Sequence, residues 1–215
     1  MNALRLEAAV VQAGLRRLLG PLDITVPPGE VVSILGPSGA GKSSLLAWLC
    51  GALPPGLSAM GRVFLGEREL TTLPPERRGL GILFQDDLLF PHLDVAGNLA
   101  FGLAAAVRGR AARRAAIAAA LDSVGLPGIE ARDPATLSGG ERARVALLRV
   151  LLSAPGALLL DEPFGRLDPA TRVAVRTLTF RLARERGLPT LLVTHDADDV
   201  AAAAGPVLRI GAGGS

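Results

Sequence analysis

Apolar and polar positions alternate with two different periods along the chain, and together they predict a mixed α/β fold. Short apolar runs predict strands, whereas apolar residues that recur every three or four positions predict helices. The predicted strands cover residues 4–11, 22–26, 30–35, 62–65, 79–84, 157–160, 188–194 and 207–210. Helices are predicted over residues 43–51 and 110–124, after Gly140, and after the N-cap candidates Asp94, Asp168 and Asp196.

A largely helical stretch from residue 87 to about residue 155 interrupts the strands. The strand pattern returns at residues 157–160, Ala-Leu-Leu-Leu, a continuous apolar run of the kind found in parallel strands buried on both faces. We therefore predict one domain over residues 1–215. Its core would comprise about residues 1–86 and 156–215, and the helical insertion about residues 87–155.

Composition narrows the cellular setting. Hydrophobic residues make up 49% of the chain and the mean hydropathy is +0.39, yet no stretch approaches the ~20 apolar residues of a membrane-spanning helix. The N-terminus lacks the basic-then-apolar pattern of a secretory signal. We expect a cytoplasmic protein that is peripheral on the inner face of the cell membrane, with apolar surface for docking.

Charge gives one further clue. The net charge is +3 and the pI about 10.3, but there is no compact basic block and aromatic residues are only 3%, so no nucleic acid partner is expected. Lys42 is the single lysine, at a position where a compact ammonium does what a planar guanidinium cannot. The chain has a single cysteine, Cys50, which excludes an internal disulfide and is predicted to be a buried, inert thiol.

A phosphate-binding pattern lies at residues 36–43, Gly-Pro-Ser-Gly-Ala-Gly-Lys-Ser, which match G-x-x-x-x-G-K-[ST]. The pattern follows a predicted strand and precedes a predicted helix, as it must. Glycines let backbone N–H groups close around phosphate oxygens, and the helix N-terminus adds a favourable dipole. We predict that Lys42 reaches the β- and γ-phosphates and that the Ser43 hydroxyl binds Mg²⁺.

Two carboxylates follow the buried strand at residues 157–160. Ligands of open parallel sheets gather beyond the carboxyl ends of the strands, which is where Asp161 and Glu162 are predicted. Asp161 suits a Mg²⁺-directing carboxylate. Glu162 could polarise the attacking water as a general base.

A third motif is Leu-Ser-Gly-Gly-Glu at residues 137–141. Ser138 and Glu141 fit a capping box, and the helix they open is predicted to bury Ala143, Ala146, Leu147 and Val150. Two successive glycines at a helix start are costly unless the backbone must approach something closely. The free helix N-terminus would then be a second phosphate site, which implies two nucleotides shared between two copies of the chain.

These motifs resemble those of the ATP-binding cassette (ABC) transporter ATPases over essentially the whole chain. The resemblance rests on the glycine loop, Gln85 after a strand, residues 137–141, residues 157–163 (Ala-Leu-Leu-Leu-Asp-Glu-Pro), the following Leu-Asp, and Thr-His before a helix. It implies an α/β fold with a P-loop NTPase core sheet, an inserted helical subdomain and an N-terminal antiparallel β region.

The resemblance also implies a role for each motif residue. Phosphates would be bound by Gly36, Pro37, Ser38, Gly39, Ala40, Gly41, Lys42, Ser43 and Ser44. Mg²⁺ would be held by Ser43, Gln85 and Asp161, and catalysis would involve Glu162, Lys42, His195 and Gln85. Ser138, Gly139 and Gly140 would contact the γ-phosphate on the opposite subunit, and Asp168 would communicate across the dimer. Asp168 would also cap a helix in any fold, and a histidine near a strand end is often incidental.

Three departures from the family pattern stand out. No aromatic residue precedes the glycine loop, so adenine would rest on aliphatic or arginine side chains near residues 11–17. Glu141 replaces the common glutamine and adds negative charge near a phosphate site. Gly165 and Arg166 replace the small residues usual before Asp168.

The segment at residues 89–103 is similar to that of bacterial importer ATPases of the thiamine, iron, sulfate and polyamine branch. This similarity implies a homodimer of cassettes, transmembrane permease subunits and a substrate-binding protein. Phe90, Leu93 and Phe101 would either receive the permease or pack in the core. The alternatives are an exporter or lipid-extraction ATPase, and a soluble ABC ATPase acting on nucleic acid or ribosomes.

Overall fold

The computed structural model describes residues 2–211 of the chain. The strands are β1 (Leu4–Ala13), β2 (Arg16–Val26), β3 (Val31–Leu35), β4 (Leu57–Leu65), β5 (Arg68–Glu69), β6 (Leu80–Leu83), β7 (Ala157–Asp161), β8 (Thr190–Thr194) and β9 (Val207–Arg209). The helices are α1 (Lys42–Cys50), α2 (Pro75–Arg78), α3 (Val95–Gly102), α4 (Arg110–Ser123), α5 (Gly139–Leu152), α6 (Pro169–Glu185) and α7 (Ala197–Ala203).

Each predicted strand and helix has a counterpart in this order, but some bounds differ. Strand β2 begins at Arg16 rather than at residue 22, since its first half also pairs with β1, where Ala13 lies opposite Arg16. Strand β4 likewise begins at Leu57 through pairing with Ala13. Sheet pairing therefore extends strands into segments whose own pattern is weak.

The described chain divides into two compact units. Unit 1 contains residues up to 82, 156–162 and 180 onward, and unit 2 contains residues 83–155 and 163–179. The division falls inside α6, which contributes its first eleven residues to unit 2 and its remainder to unit 1.

Unit 1 contains two sheets. Strands β2-β1-β4-β5 form an antiparallel sheet, and strands β6-β7-β8-β3-β9 form a second sheet in which β7, β8, β3 and β9 are parallel. The carboxyl ends of β3, β7 and β8 therefore lie along one edge of the second sheet. The glycine loop follows β3, His195 follows β8, and Asp161 is the last residue of β7.

Helix α1 is anchored in the core of unit 1. Its residues Leu45, Leu46 and Leu49 are fully buried, in a cluster that also contains residues of both sheets. At its C-terminal end the buried guanidinium of Arg78 donates to the carbonyls of Trp48 and Leu49, at 2.7 and 2.8 Å. These bonds satisfy carbonyls that have no partner inside a helix.

Unit 2 contains α3, α4, α5 and the start of α6. Asp94 caps α3 as predicted, accepting from the Gly97 N–H at 2.6 Å. The predicted burial of α5 was partly wrong, because Ala143 and Val150 are only partly buried. The buried face contains Val145, Ala146, Leu147, Leu148 and Leu151, a wider stripe than the i, i+3, i+4, i+7 positions alone.

Candidate nucleotide-binding and hydrolysis site

The glycine loop between β3 and α1 is organised around Lys42. Its side chain is 4% exposed, and Nζ donates to the carbonyls of Gly36 and Pro37 at 2.8 Å each. The loop thus wraps around its own lysine. Burial and three donors in a compact head place a positive charge at the centre of the loop, where phosphate oxygens would be attracted.

The backbone of the loop leaves N–H groups available. Among the described residues, the N–H groups of Lys42, Ser43 and Ser44 donate to no backbone carbonyl. Gly39 and Gly41 have φ angles of +81° and +82°, in the left-handed region that favours glycine. The helix start therefore presents a row of donors and the positive end of the helix dipole.

The metal-directing pair predicted from the sequence is in contact. The Ser43 hydroxyl donates to Asp161 Oδ1 at 2.8 Å, although 118 positions separate the two residues. Burial raises the pKa of the Asp161 carboxyl above its ordinary value, while the hydrogen bond from Ser43 opposes that shift. A hydroxyl and a half-buried carboxylate side by side are oxygen donors of the type that Mg²⁺ prefers.

Glu162 lies between two nitrogen groups. Oε1 is 3.7 Å from Lys42 Nζ, and Oε2 is 3.0 Å from Nδ1 of His195. The backbone of Glu162 has a φ of +48°, and its N–H donates to the Val193 carbonyl at 3.0 Å. A non-glycine residue held in the left-handed region is strained, and such strain concentrates at functional sites.

These contacts bring together five residues that the sequence singled out. We call Lys42, Ser43, Asp161, Glu162 and His195 the phosphate cluster; all belong to unit 1. His195, whose position could have been incidental, is joined to Glu162 and remains 56% exposed. The cluster combines an anion-binding loop, a metal-directing pair and a carboxylate base, which is the equipment for phosphoryl transfer to water.

The start of α5 in unit 2 has the predicted capping box. The Ser138 hydroxyl accepts from the Glu141 N–H at 3.2 Å, and Glu141 Oε2 accepts from the Ser138 N–H at 2.7 Å. Glu141 Oε1 also accepts from Arg132 Nη1 at 3.1 Å. The hydrogen bond from the Ser138 backbone, followed by the Ser138 side chain and Arg132, lowers the pKa of Glu141. The negative charge noted at this position is therefore partly matched by Arg132.

The two glycines of this turn differ in their surroundings. We call residues 138–140 the glycine turn. A Cβ on Gly140 would lie 2.6 Å from Cγ2 of Thr171, so side-chain packing requires glycine there. A Cβ on Gly139 would meet nothing closer than 3.8 Å, an ordinary contact. Packing inside unit 2 therefore explains Gly140 and leaves Gly139 without a steric reason.

Gln85 is exposed in unit 2 and lines a cavity of about 120 Å³ to which Gly139 and Leu167 also contribute. Its neighbours are tied by charge: Arg142 Nε donates to Asp87 Oδ2 at 2.9 Å, and Arg166 forms an ion pair with Asp86. Sequence reasoning missed Asp86, Asp87 and Arg142, since nothing in the local pattern connects residues 55 positions apart. Arg166, one of the departures from the family pattern, is therefore paired with Asp86.

Asp168 caps α6 as predicted. Its carboxylate accepts from the Thr171 N–H at 3.1 Å, and its own carbonyl accepts from the Arg172 N–H at 2.8 Å. Hydrogen bonds from the Thr171 side chain and backbone lower the pKa of Asp168. The local structure accounts for this aspartate as a cap, and its role across a dimer stays a prediction.

The fold and the phosphate cluster define a P-loop nucleotide hydrolase. The family model described as ABC transporter matches residues 19–165, from β2 to beyond Glu162. The chain belongs to the ABC transporter family, as an ATP-binding subunit. It is an ATPase whose hydrolysis of ATP is coupled to transport.

Three relatives illustrate the match. YnjD of Escherichia coli strain K12, an uncharacterised ABC transporter ATP-binding protein, is 50% identical over 186 residues, which cover 86% of this chain and 85% of YnjD. The Fe(3+) ions import ATP-binding protein FbpC of Streptomyces avermitilis is 44% identical over 98% of this chain and 60% of FbpC. The thiamine import ATP-binding protein ThiQ of Cereibacter sphaeroides is 46% identical over 82% of this chain and 75% of ThiQ.

Coverage of these relatives is uneven. The chain spans most of YnjD and ThiQ but less than two thirds of FbpC. Within residues 2–211, no helix combines the length and the apolarity that crossing a membrane requires.

Proposed function

We propose that the chain powers the import of a small solute through a bacterial membrane permease, to which a substrate-binding protein delivers the solute. The relatives named for a substrate support the direction of transport, because FbpC is named for import of ferric ions and ThiQ for import of thiamine. The chain would act as a pair of identical subunits that bind two ATP molecules between them.

The observation that carries the proposal is the position of Glu162 between Lys42 and His195. With ATP on the loop, Lys42 would exchange its bonds to the loop carbonyls for bonds to β- and γ-phosphate oxygens. Glu162 would accept a proton from the water that attacks the γ-phosphorus, while the bond from that phosphorus to the ADP oxygen breaks. His195 would donate to a γ-phosphate oxygen and hold the Glu162 carboxylate in place.

A magnesium ion fits this arrangement. Ser43 Oγ and Asp161 Oδ1 already lie within hydrogen-bond distance, and both are hard oxygen donors. We propose that Ser43 and Asp161 hold the ion, directly or through water; the metal role of Gln85 stays a prediction. When bound, Mg²⁺ would neutralise charge on the phosphates. Burial of Asp161, which raises its pKa in the free protein, would favour a cation beside it.

The glycine turn supports the pairing of subunits. Among the described residues, the N–H groups of Gly139 and Gly140 find no backbone acceptor, and the Ser138 side chain is exposed. Because no contact within unit 2 requires glycine at position 139, we assign this position to close approach by the γ-phosphate on a second copy. Asp168 would then communicate the nucleotide state of one site to the other site of the dimer.

Mixing two inactive variants tests the shared site. Lys42→Ala would disable the loop, and Ser138→Arg would block the glycine turn of the same chain. In a mixed dimer, the intact loop of one subunit faces the intact turn of the other, so a 1:1 mixture should regain about a quarter of the wild-type sites. Activity that stays at the level of each variant alone, despite exchange of subunits shown by labelled chains, would contradict the pairing.

A groove in unit 2 is suited to the permease. A cavity of about 590 Å³ lies between α3 and α4, and its lining includes the apolar residues Ala96, Ala100 and Ile117 and the charged residues Arg114 and Glu130. Phe101 on α3 is 71% exposed and packs edge-to-face against Phe90, with 4.8 Å between ring centroids. Phe101 is therefore not a core residue, and we propose that this face docks the chain on the inner side of the membrane.

Docking can be tested separately from catalysis. Phe101→Arg should abolish co-purification with the permease subunits and leave ATP hydrolysis by the isolated chain unchanged. Met60→Arg provides the matched control, because Met60 is also an exposed apolar residue, at 55%, but lies in unit 1. Equal retention of the permease by both variants would reject the unit 2 face as the docking surface.

A further inference from the structure

Arg142 on α5 lies beside the glycine turn and outside the phosphate cluster. Its guanidinium bonds in two directions: Nε donates to Asp87 Oδ2 at 2.9 Å, and Nη1 donates to the Leu137 carbonyl at 2.7 Å. Leu137 immediately precedes the glycine turn, and Asp87 lies shortly after Gln85. All of these residues belong to unit 2. Arg142 therefore connects the segment that carries Gln85 to the backbone that carries the glycine turn.

Asp87 is itself held against α5 by a second arginine. Arg149, about two turns along α5 from Arg142, donates from Nη2 to the Asp87 carbonyl at 3.1 Å and from Nη1 to the Leu88 carbonyl at 2.8 Å. Leu88 has a φ of +47°, a left-handed conformation in which a leucine is strained. Such a conformation persists only where the surroundings hold it. The backbone that presents the Asp87 carboxylate to Arg142 is therefore fixed at two neighbouring carbonyls.

The ion pair between Arg142 and Asp87 is better suited to setting a position than to stabilising the fold. The two side chains remain 38% and 32% exposed, so solvent screens the pair and it contributes little to the free energy of unfolding. A guanidinium, however, holds its donors in a rigid planar fork. Because Asp87 engages Nε, the direction of Nη1 is set as well, and with it the position of the Leu137 carbonyl.

The Leu137 carbonyl belongs to the peptide group that leads into the glycine turn. The same peptide group contains the N–H of Ser138, which donates to Glu141 Oε2 at 2.7 Å. Because a peptide group is planar, the bonds to Arg142 and to Glu141 hold opposite edges of one plane. The next two N–H groups are those of the glycines of the turn, which have no backbone acceptor among the described residues. The direction in which these donors point therefore depends on Arg142.

We propose that Arg142 is a positioning residue for ATP hydrolysis: held by Asp87, it orients the glycine turn so that its backbone donors meet the γ-phosphate on a second copy of the chain. This inference rests on the proposed pairing of subunits. A misplacement of about 1 Å can lower a rate about 100-fold even when the mutated residue is remote from the chemistry. Lys42 and Ser43 have their partners within unit 1, so binding of ATP to the loop should not depend on Arg142.

Turnover and nucleotide binding by the full chain test this proposal. Arg142→Met keeps most of the stem and removes every donor, so kcat for ATP hydrolysis should fall by about 10- to 100-fold. The affinity for mant-ATP, measured by fluorescence, should be unchanged. Arg142→Lys keeps the positive charge but loses the planar fork, so it should not restore kcat.

A double-mutant cycle tests whether Asp87 acts through Arg142. Asp87→Asn removes the charge that fixes the fork and should lower kcat by less than Arg142→Met does. The protein with both substitutions should be no slower than Arg142→Met alone, because residues that act as one unit are not additive. Independent, additive losses of kcat would contradict the relay from Asp87 to the glycine turn.

Arg113→Met is the matched control. Arg113 is a partly buried arginine of α4 that also bonds two carbonyls in unit 2, those of Ala100 at 2.7 Å and Val107 at 3.4 Å, and neither bond reaches the glycine turn. It should leave kcat unchanged and lower stability in urea to a similar small extent. In NMR spectra, the backbone amide signals of the two glycines of the turn should move in the Arg142→Met protein and stay in place in the Arg113→Met protein.

Three outcomes would overturn the inference. Amide signals of the turn that do not respond to Arg142→Met would show that Arg142 does not orient it, and an equal loss of kcat in the Arg113→Met protein would indicate general destabilisation. The third is wild-type kcat in the Arg142→Met protein. The mixture of Lys42→Ala and Ser138→Arg proteins then separates the two proposals: recovery of activity rejects the role of Arg142 alone, whereas no recovery rejects the pairing of subunits and this inference with it.

Discussion

Two helix starts in this protein look alike in sequence and differ in what surrounds them. Both α1 in unit 1 and α5 in unit 2 begin beside glycine with backbone N–H groups that lack acceptors among the described residues. At the start of α1, Lys42 and Ser43 have partners within unit 1, in the loop carbonyls, Asp161 and Glu162. At the start of α5, Ser138 and Glu141 satisfy each other, and the exposed backbone beside them has no comparable set of side chains.

The space around the glycines also differs between the two helix starts. Gly36 and Gly41 in the loop and Gly140 in α5 are each enclosed by side chains within their own unit. Gly139 has neither a crowded Cβ position nor a positive φ. The first helix start has charged and polar side chains of its own unit around it. The second has a glycine that no packing contact requires, and this difference supports the proposed pairing of two subunits.

The largest effect should come from replacing Glu162, the proposed general base of the phosphate cluster. Glu162→Gln keeps the shape of the side chain but removes its basicity, so kcat for ATP hydrolysis should fall by roughly 10²–10⁴-fold. The affinity for ATP should be retained, since the loop, Lys42 and Ser43 are unchanged. Steady-state phosphate release and mant-ATP binding measure the two quantities.

Glu185→Gln is the control for this substitution. Glu185 pairs with Arg181 on the exposed surface of α6 and lies outside the phosphate cluster, so turnover should be unaffected. Near-normal hydrolysis by the Glu162→Gln protein would reject Glu162 as the base, and the strained backbone at this position would then need another explanation.

The second effect compares the two glycines of α5. Gly139→Ala should fold normally, because the added methyl group has space, yet it should lower kcat by about 100-fold by blocking backbone donors near the γ-phosphate. Gly140→Ala should instead destabilise the protein by about 1–3 kcal/mol through overpacking against Thr171. Urea unfolding and ATP hydrolysis, measured on both variants, distinguish a ligand contact from a packing contact. A fully active Gly139→Ala protein would mean that no phosphate approaches this turn.

The sequence predicted the first region almost completely. Lys42, Ser43, Asp161 and Glu162 follow short buried strands of one parallel sheet, and the carboxyl ends of such strands meet at one edge whatever their separation in the chain. The contact between His195 and Glu162 follows from the same geometry, because His195 comes directly after another strand of this sheet. The family resemblance had already singled out His195. The backbone strain at Glu162 carried no signal, because no residue type there demands a positive φ.

The second region was harder to predict in detail. The capping box was readable from Ser138 and Glu141, but Arg132, Thr171 and Arg142 complete the surroundings of the turn from elsewhere in unit 2. The two-residue strand β5 and the four-residue helix α2 were not predicted, since neither is long enough to show a period. Contacts between distant polar side chains and very short elements depend on packing, which a local pattern does not encode.

A third prediction concerns how α1 is held. Arg78 donates to four carbonyls, two in the last turn of α1 and those of Leu73 and Thr71, and it is almost fully buried. Arg78→Ala would leave three of these carbonyls without a partner among the described residues, since only that of Trp48 also accepts from the Gly51 N–H, and should lower the free energy of unfolding by about 3 kcal/mol. Arg77→Ala, at the exposed neighbouring position, should change it by less than about 0.5 kcal/mol.

Arg78 also bears on the one cysteine. Cys50 ends α1 and is only partly buried, whereas a buried thiol was predicted. Desolvation nevertheless raises the pKa of the thiol to about 11, so we expect a protonated, slowly reacting thiol at neutral pH. If Arg78→Ala opens the end of α1, Cys50 should react faster with a thiol reagent than in the wild type. Unchanged stability together with unchanged thiol reactivity would show that water replaces the guanidinium without cost.

The smallest effect should come from the charge at the second helix start. Glu141→Gln keeps an oxygen for the Ser138 N–H but removes the ion pair with Arg132, so the free energy of unfolding should fall by less than about 1 kcal/mol at neutral pH. Because hydrogen bonds lower the pKa of Glu141, its contribution is present above the ordinary pKa of a glutamate and is lost as the pH falls through the folded value. The difference in the free energy of unfolding between the two proteins should therefore shrink in acid.

At neutral pH, Arg132 already offsets the charge near the proposed phosphate, so the affinity for ATP should change little on Glu141→Gln. A large gain in ATP affinity on Glu141→Gln would mean that the Glu141 carboxylate repels the nucleotide. The phosphate would then lie so close to Glu141 that the positive charge of Arg132 does not screen the repulsion.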